Sequence, residues 1–168
     1  MSYLDDPELL ERLRSGFRAT PLHALLGIDF VDDATFPDGT PVSEGIVVVS
    51  MPVRPEAFGQ GGNLHGGAIA TLIDVASASA AARASAFEPG KNSLVTADLH
   101  VRYLGRAKGN TVSAYASVVR SGRQLVVVEC RVLDDLGNLV AVADFSSMVV
   151  PLRGPLPGAV GDPAAPDL

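Results

Sequence analysis

The stretch from Ala68 to Phe87 constrains this chain more than any other: it is alanine, serine, threonine and aliphatic on every face, and its only charges are Asp74 and Arg83. Its length and alanine content read as a helix, closed by Pro89-Gly90. A helix that is apolar all round is expected to be buried. Its small side chains would let another layer approach the helix backbone closely, so the rest of the chain is expected to wrap it.

The wrapping material is β-rich. The run from Glu44 to Met51 is short, β-branched and closed by Pro52, which reads as a buried strand. Further strands are expected at about Ser93 to Tyr103, Thr111 to Arg120 and Leu125 to Leu133, joined by turns at Gly105 to Gly109 and Ser121-Gly122. A last strand, Leu139 to Val150, follows a turn at Asp135 to Asn138. Such short connections predict an antiparallel meander, and one long helix against one antiparallel sheet is an α+β layout. Ahead of the strands, a helix is expected from Pro7 to about Ser15 with a stop at Gly16. A helical turn from Pro21 to Leu26 should end at Gly27, before a strand suggested by Ile28, Phe30 and Val31 and a turn-rich loop from Asp32 to Pro41. A chain of 168 residues with 47% hydrophobic content supports one domain. Its body is placed at residues 25–150, after a helical segment at 1–24 and before a proline-bearing tail at 151–168 expected to be disordered.

Charge narrows the partners. A net charge of -6 and a pI near 4.9 oppose a polyanion such as nucleic acid, so an anionic ligand must meet a local basic patch. The single cysteine, Cys130, cannot form an intrachain disulfide. The beginning of the sequence is acidic (Asp5, Asp6, Glu8) and no apolar run approaches the ~20 residues that span a bilayer. A cytoplasmic protein with no membrane association is expected.

Asp74 is the charge that such a helix does not readily explain. Its neighbours three and four positions away are Ala70, Thr71, Ser77 and Ala78, and Arg83 is rotated by roughly 180° from it. A carboxylate in an apolar setting without a cation is how general bases and nucleophiles are prepared; the alternative is a structural carboxylate paired from elsewhere. Glycines crowd the approach to the helix, at 59, 61, 62, 66 and 67. His65-Gly66-Gly67 stands where unpaired N–H groups and the positive end of the helix dipole point outward, a geometry suited to an oxyanion hole. The alternative is a glycine hinge at a tight loop-to-helix entry.

The segment Asn63-Leu64-His65-Gly66-Gly67-Ala68-Ile69-Ala70-Thr71-Leu72-Ile73-Asp74 resembles the signature of hotdog-fold acyl-CoA thioesterases of the phenylacetate-degradation (PaaI-like) type: His-Gly-Gly, then a carboxylate nine residues after the histidine. The resemblance implies a long central helix wrapped by an antiparallel sheet, and a homo-oligomer, dimer or dimer of dimers, with active sites shared between subunits. It gives Asp74 the role of attacking the thioester or activating water, and Gly66 that of donating its N–H to the thioester oxygen. His65 would organise the loop, and Thr96, in Val95-Thr96-Ala97-Asp98-Leu99, would hold the water. Relatives often carry Asn or Gln six residues before the histidine, where this chain has Gly59; Gln60 takes that role after a loop shift, or the role is absent. No metal or resident cofactor is implied, coenzyme A being part of the substrate.

Coenzyme A carries phosphates, and from Leu99 to Val128 the chain holds Arg102, Arg106, Lys108, Arg120 and Arg123 with no Asp or Glu. These residues are candidate coenzyme A contacts; the competing reading is cations that guard edge strands against aggregation. Arg106 and Lys108 lie in one turn and Arg120 and Arg123 in the next, so both clusters can serve one ligand only across a subunit boundary. Two other functions fit such a fold: a hydratase or dehydratase, for which His65 is the only candidate base, and a non-catalytic acyl-CoA-binding protein.

Overall fold

In a computed structural model that describes residues 7–152, six antiparallel strands curl around one long helix. In chain order the elements are α1 (Pro7–Ala19), α2 (Pro21–Leu26), β1 (Asp29–Phe30), β2 (Val47–Pro52), α3 (Gly66–Ala84), β3 (Asn92–Tyr103), β4 (Thr111–Ser121), β5 (Leu125–Asp134) and β6 (Leu139–Pro151). A single 3-10 turn, Pro55–Ala57, precedes the glycine-rich loop. The sheet order is β1-β2-β4-β5-β6-β3.

Period-two alternation decides which side chains meet the helix. Val112, Ala114 and Ala116 of β4, and Val126, Val128, Cys130 and Val132 of β5, are all buried. So are Ala141, Ala143, Phe145 and Ser147 of β6. The alanines among them leave room for α3 to lie close to the sheet. Strand β2 starts at Val47 rather than Glu44, because Ile46 N–H bonds the Ser43 carbonyl at 3.3 Å and Gly45 turns the chain at φ 89°.

The helix buries one face: Ala68, Ile69, Leu72, Ile73, Ala76, Ser77, Ala80 and Ala81. The opposite face, with Thr71, Asp74, Val75, Ala78 and Ala82, stays half-buried within the single chain. Full burial, expected from the all-round apolar composition, is therefore not achieved inside one subunit.

The expected four-strand meander is corrected to three strands. β4, β5 and β6 follow one another, whereas β3 pairs with β6 at the far edge of the sheet. The segment after Tyr103 is thus a crossover rather than a hairpin turn, starting with Leu104 N–H and Gly105 N–H on the Val140 carbonyl. A bulge between Thr96 and Asp98 shifts the alternation of β3. As a result Thr96, Leu99, Val101 and Tyr103 all stand opposite inward residues of β6, namely Ser147, Phe145, Ala143 and Ala141.

At the N-terminal side α1 runs through Gly16 to Ala19 instead of stopping at Gly16. Contacts on both sides of Gly16 outweigh its helix penalty of about 1 kcal/mol. Arg14 bonds Asp32 bidentately at 2.7 and 2.6 Å, Arg18 bonds Asp29, and Phe17 packs on Phe30. Gly27, in the left-handed region at φ 69°, closes α2 as expected. The tail expected to be disordered lies outside the described residues from 153 onward, and Pro151 still belongs to β6. This is the α+β hotdog layout, and it places the N-terminus of α3 and Asp74 along the edge strand β3.

Candidate active site

The glycine loop presents His65 at the N-cap of α3. Phe58 and Leu64 bridge, Gly59 N–H bonds the Asn63 carbonyl at 2.8 Å, and Gly62 N–H bonds the Gly59 carbonyl at 3.1 Å. The Asn63 side-chain amide closes the tip on the Gly61 carbonyl at 2.8 Å. His65 then donates its backbone N–H to the Ala57 carbonyl, and its Nδ1 accepts the Gly67 N–H at 2.8 Å. In a neutral imidazole this acceptor role puts the proton on Nε2. The His65 carbonyl takes the N–H groups of Ala68 and Ile69. Of the orphan donors of the first turn, Gly66 N–H is left without an acceptor among the described residues.

Gly59 has a local reason to lack a side chain. A Cβ there would lie 3.2 Å from His65 Cδ2, tight against the imidazole that caps the helix. Gln60 sits exposed at the tip of the same loop and makes no side-chain hydrogen bond among the described residues.

Two turns into the helix, Asp74 is half-buried and accepts the Thr96 hydroxyl through Oδ1 at 2.8 Å. Its Oδ2 has no hydrogen-bond partner, and no cation lies within 4.0 Å of it, among the described residues. Asp74 and Thr96, both expected at the site, are therefore in direct contact. Strand β3 makes a second tether that the sequence does not single out: Tyr103 donates its hydroxyl to the Gly66 carbonyl at 3.0 Å. Its ring covers the glycine so closely that a Cβ at Gly66 would meet Tyr103 Cζ at 3.3 Å. The bulge conceals this signal, because Thr96 and Tyr103 have opposite parity in the sequence and the same side in the fold.

The expected cations separate into groups. Arg102 crosses to Asp144 at 3.4 Å. Arg106 and Lys108 lie on the crossover before β4, and Arg120 and Arg123 flank the β4–β5 hairpin at the other end of that strand, as expected. Arg120 and Arg123 line a surface recess of about 400 Å³ with Gln124 and Leu125. None of these four pairs with a carboxylate within 4.0 Å among the described residues. Cys130 is buried against the helix, and burial pushes its thiol up to about 12, partly offset by Ser77, so it offers no thiolate. Among the described residues no cluster of His, Cys, Asp or Glu could hold a metal ion, and no helix is long and apolar enough to cross a membrane.

Known proteins share this fold. A family model described as "Thioesterase superfamily" matches residues 61–141, which contain both Gly66 and Asp74. A protein of Halobacterium salinarum named as an esterase is 34% identical over 135 residues, 79% of this chain and 74% of the relative. A Bacillus halodurans structure described as containing CoA superposes with a TM-score of 0.68 at 31% identity, covering 89% of this chain and 90% of that one. A Pseudomonas aeruginosa structure described as a mutant thioesterase gives a TM-score of 0.72 at 25% identity, covering 85% of this chain and 94% of that one.

Proposed function

The chain belongs to the thioesterase superfamily and is a thioester hydrolase, and we propose that it hydrolyses acyl-CoA thioesters to a carboxylic acid and coenzyme A, with Asp74 as the reacting carboxylate. One observation carries the reading: an unclaimed N–H at Gly66 and a carboxylate at Asp74 with one oxygen anchored and the other free stand on the same helix. The CoA-containing structure at 31% identity supports the choice of thiol. Spacing within the helix motif favours the phenylacetate-degradation type.

In the water route Asp74 accepts a proton from water as the oxygen attacks the thioester carbonyl carbon. Charge building on the carbonyl oxygen meets the Gly66 N–H and the positive end of α3. The tetrahedral species then expels the thiolate, which takes the proton from Asp74. In the alternative route Asp74 attacks the carbon itself and the tetrahedral species breaks its C–S bond to expel the thiolate; water then cleaves the resulting anhydride, which frees the carboxylic acid, restores the Asp74 carboxylate and supplies the proton that the thiolate takes up.

Gly66 and Asp74 are eight residues apart, about 12 Å along the axis, too far for one carbonyl. A second copy of the chain removes the difficulty. β3 is a 12-residue edge strand with no partner on its outer side among the described residues, and it carries both tethers, Thr96 to Asp74 and Tyr103 to Gly66. Antiparallel pairing of two such strands about an axis at His100 would, with Ala97 taken up by the bulge, set Thr96 of one copy across from Tyr103 of the other. Asp74 of one subunit would then face Gly66 of its partner. In that dimer Arg106 and Lys108, or Arg120 and Arg123, would receive the phosphates of coenzyme A, whereas Arg102 is occupied by Asp144. A buried thiol with no disulfide partner fits a reducing, cytoplasmic setting.

The test is thiol release from a panel of acyl-CoAs, run beside water addition and loss with enoyl- and hydroxyacyl-CoAs. Thiol release from at least one substrate is expected. Hydration without thiol release would overturn the reading in favour of a hydratase.

A further inference from the structure

A cleft of about 440 Å³ lies between α1 and the C-terminal half of α3, within the ~300–1,000 Å³ typical of small-molecule sites. Leu10, Leu13 and Phe17 of α1 form one side, and Phe30, Ala82 and Phe87 the other. No residue of α1 is fully buried, and Phe17 is its packing contact with the core, so this helix straps over apolar space. The Arg14–Asp32 and Arg18–Asp29 pairs hold it there. The charges in the lining leave that space apolar: Arg14 and Asp32 neutralise each other, and the Arg83 guanidinium lies over the Phe30 ring at 5.8 Å.

Asp74, Ala78 and Ala82 occupy successive i,i+4 positions, one row on the half-buried face of α3. The row covers eight residues, about 12 Å, and holds nothing larger than a methyl group beyond the carboxylate. A thioester carbon reacting at Asp74 therefore has a smooth track for its acyl chain, and the track ends in the cleft. We propose that this cleft holds the acyl tail, making the substrates thioesters of apolar, medium-length fatty acids rather than of acetate; the inference rests on the thioesterase reading above.

The experiment compares kcat/KM for decanoyl-CoA and acetyl-CoA in the wild type, in Ala82→Phe, which fills the cleft, and in Leu13→Ala, which enlarges it. The wild type should favour decanoyl-CoA. Ala82→Phe should lose at least ~10-fold on decanoyl-CoA while acetyl-CoA stays within ~2-fold, as expected for a blocked apolar pocket. Leu13→Ala should move the optimum toward longer chains, and it decides the matter alone if Ala82→Phe does not fold. An unchanged decanoyl-to-acetyl ratio in the folded variants, or a wild type indifferent to chain length, overturns the cleft assignment and leaves the thioesterase reading standing. A wild type that releases no thiol from any acyl-CoA overturns that reading instead.

Discussion

Asp74 and Asp134 are both aspartates that the fold takes partly or wholly out of water, and they are treated in opposite ways. Asp134, at 1% exposure, accepts backbone N–H groups from Lys108, Gly109, Leu136 and Asn138, and both oxygens also take the Asn138 side-chain amide. Burial by itself raises its pKa, but these donors outweigh burial and hold the carboxyl below the ordinary range. It fastens the crossover after β3 to the β5–β6 turn. Asp74 is less buried and accepts one hydroxyl on one oxygen. Burial alone therefore does not mark a reactive carboxylate. A carboxylate saturated with donors is a structural fastener, whereas one that is oriented yet keeps an oxygen free can take a proton or attack a carbon.

The comparison breaks first at Asp74. Asp74→Asn preserves shape and should keep Tm within a few degrees while kcat falls by at least ~10². Near wild-type hydrolysis by this variant would end the contrast. At Asp134 the pattern should invert: Asp134→Ala strands several backbone donors, so urea unfolding should show a loss of about 2–3 kcal/mol, with kcat per folded molecule nearly intact. The pH dependence follows from the depressed folded value. The stabilisation from Asp134 is present above the unfolded value of ~3.9 and is lost as pH falls through the folded value. Acid unfolding of Asp134→Ala should accordingly be less steep than that of the wild type.

Thr96→Val sharpens the comparison by freeing both oxygens of Asp74. A hydrogen bond to a charged group is worth ~1.5–3 kcal/mol, so a fall in kcat of at least ~10-fold with little change in Tm is expected. Tyr103→Phe should have the smallest effect, a ~3-fold loss in kcat with KM unchanged, since it removes one neutral hydrogen bond beside the oxyanion donor. A larger change in Tm than in kcat would reduce Tyr103 to packing.

These residues also show what the chain discloses before it folds. The small-residue helix and its N-terminal glycines are local patterns, so α3, the place of His65 at its N-terminus and Asp74 are legible in the sequence, whereas the capping bond from Gly67 N–H to His65 Nδ1 is not. Pairing is not local: nothing in the alternation of Asn92–Tyr103 says that β3 crosses the sheet to β6 instead of lying beside β4. The bulge between Thr96 and Asp98 inverts parity without a glycine or proline to announce it, which hides Tyr103. Asp134 reads only as the residue between a strand and a turn, because two of its donors come from a loop more than twenty residues away. The half-buried face of α3 is legible only as composition, since no described residue of the same chain fully covers it.

The central claim is that Gly66 of one subunit and Asp74 of the other act on one carbonyl, and mixing subunits tests it most directly. Gly66→Pro removes the N–H at the first position of α3, where proline is tolerated, and His65 already has the extended backbone, φ -65° and ψ 137°, that a following proline requires; the half-exposed Tyr103 ring, 3.3 Å from the added Cβ, must shift by a few tenths of an ångström. Gly66→Pro and Asp74→Asn chains should each be nearly inactive and, by thermal melting, folded. Co-refolded at equal amounts, half of the randomly formed dimers carry one site with both an intact Gly66 and an intact Asp74, so thiol release should recover to roughly a quarter of wild type. Folded, mixed dimers that recover no activity would place both residues in single-chain sites and contradict the shared-site account.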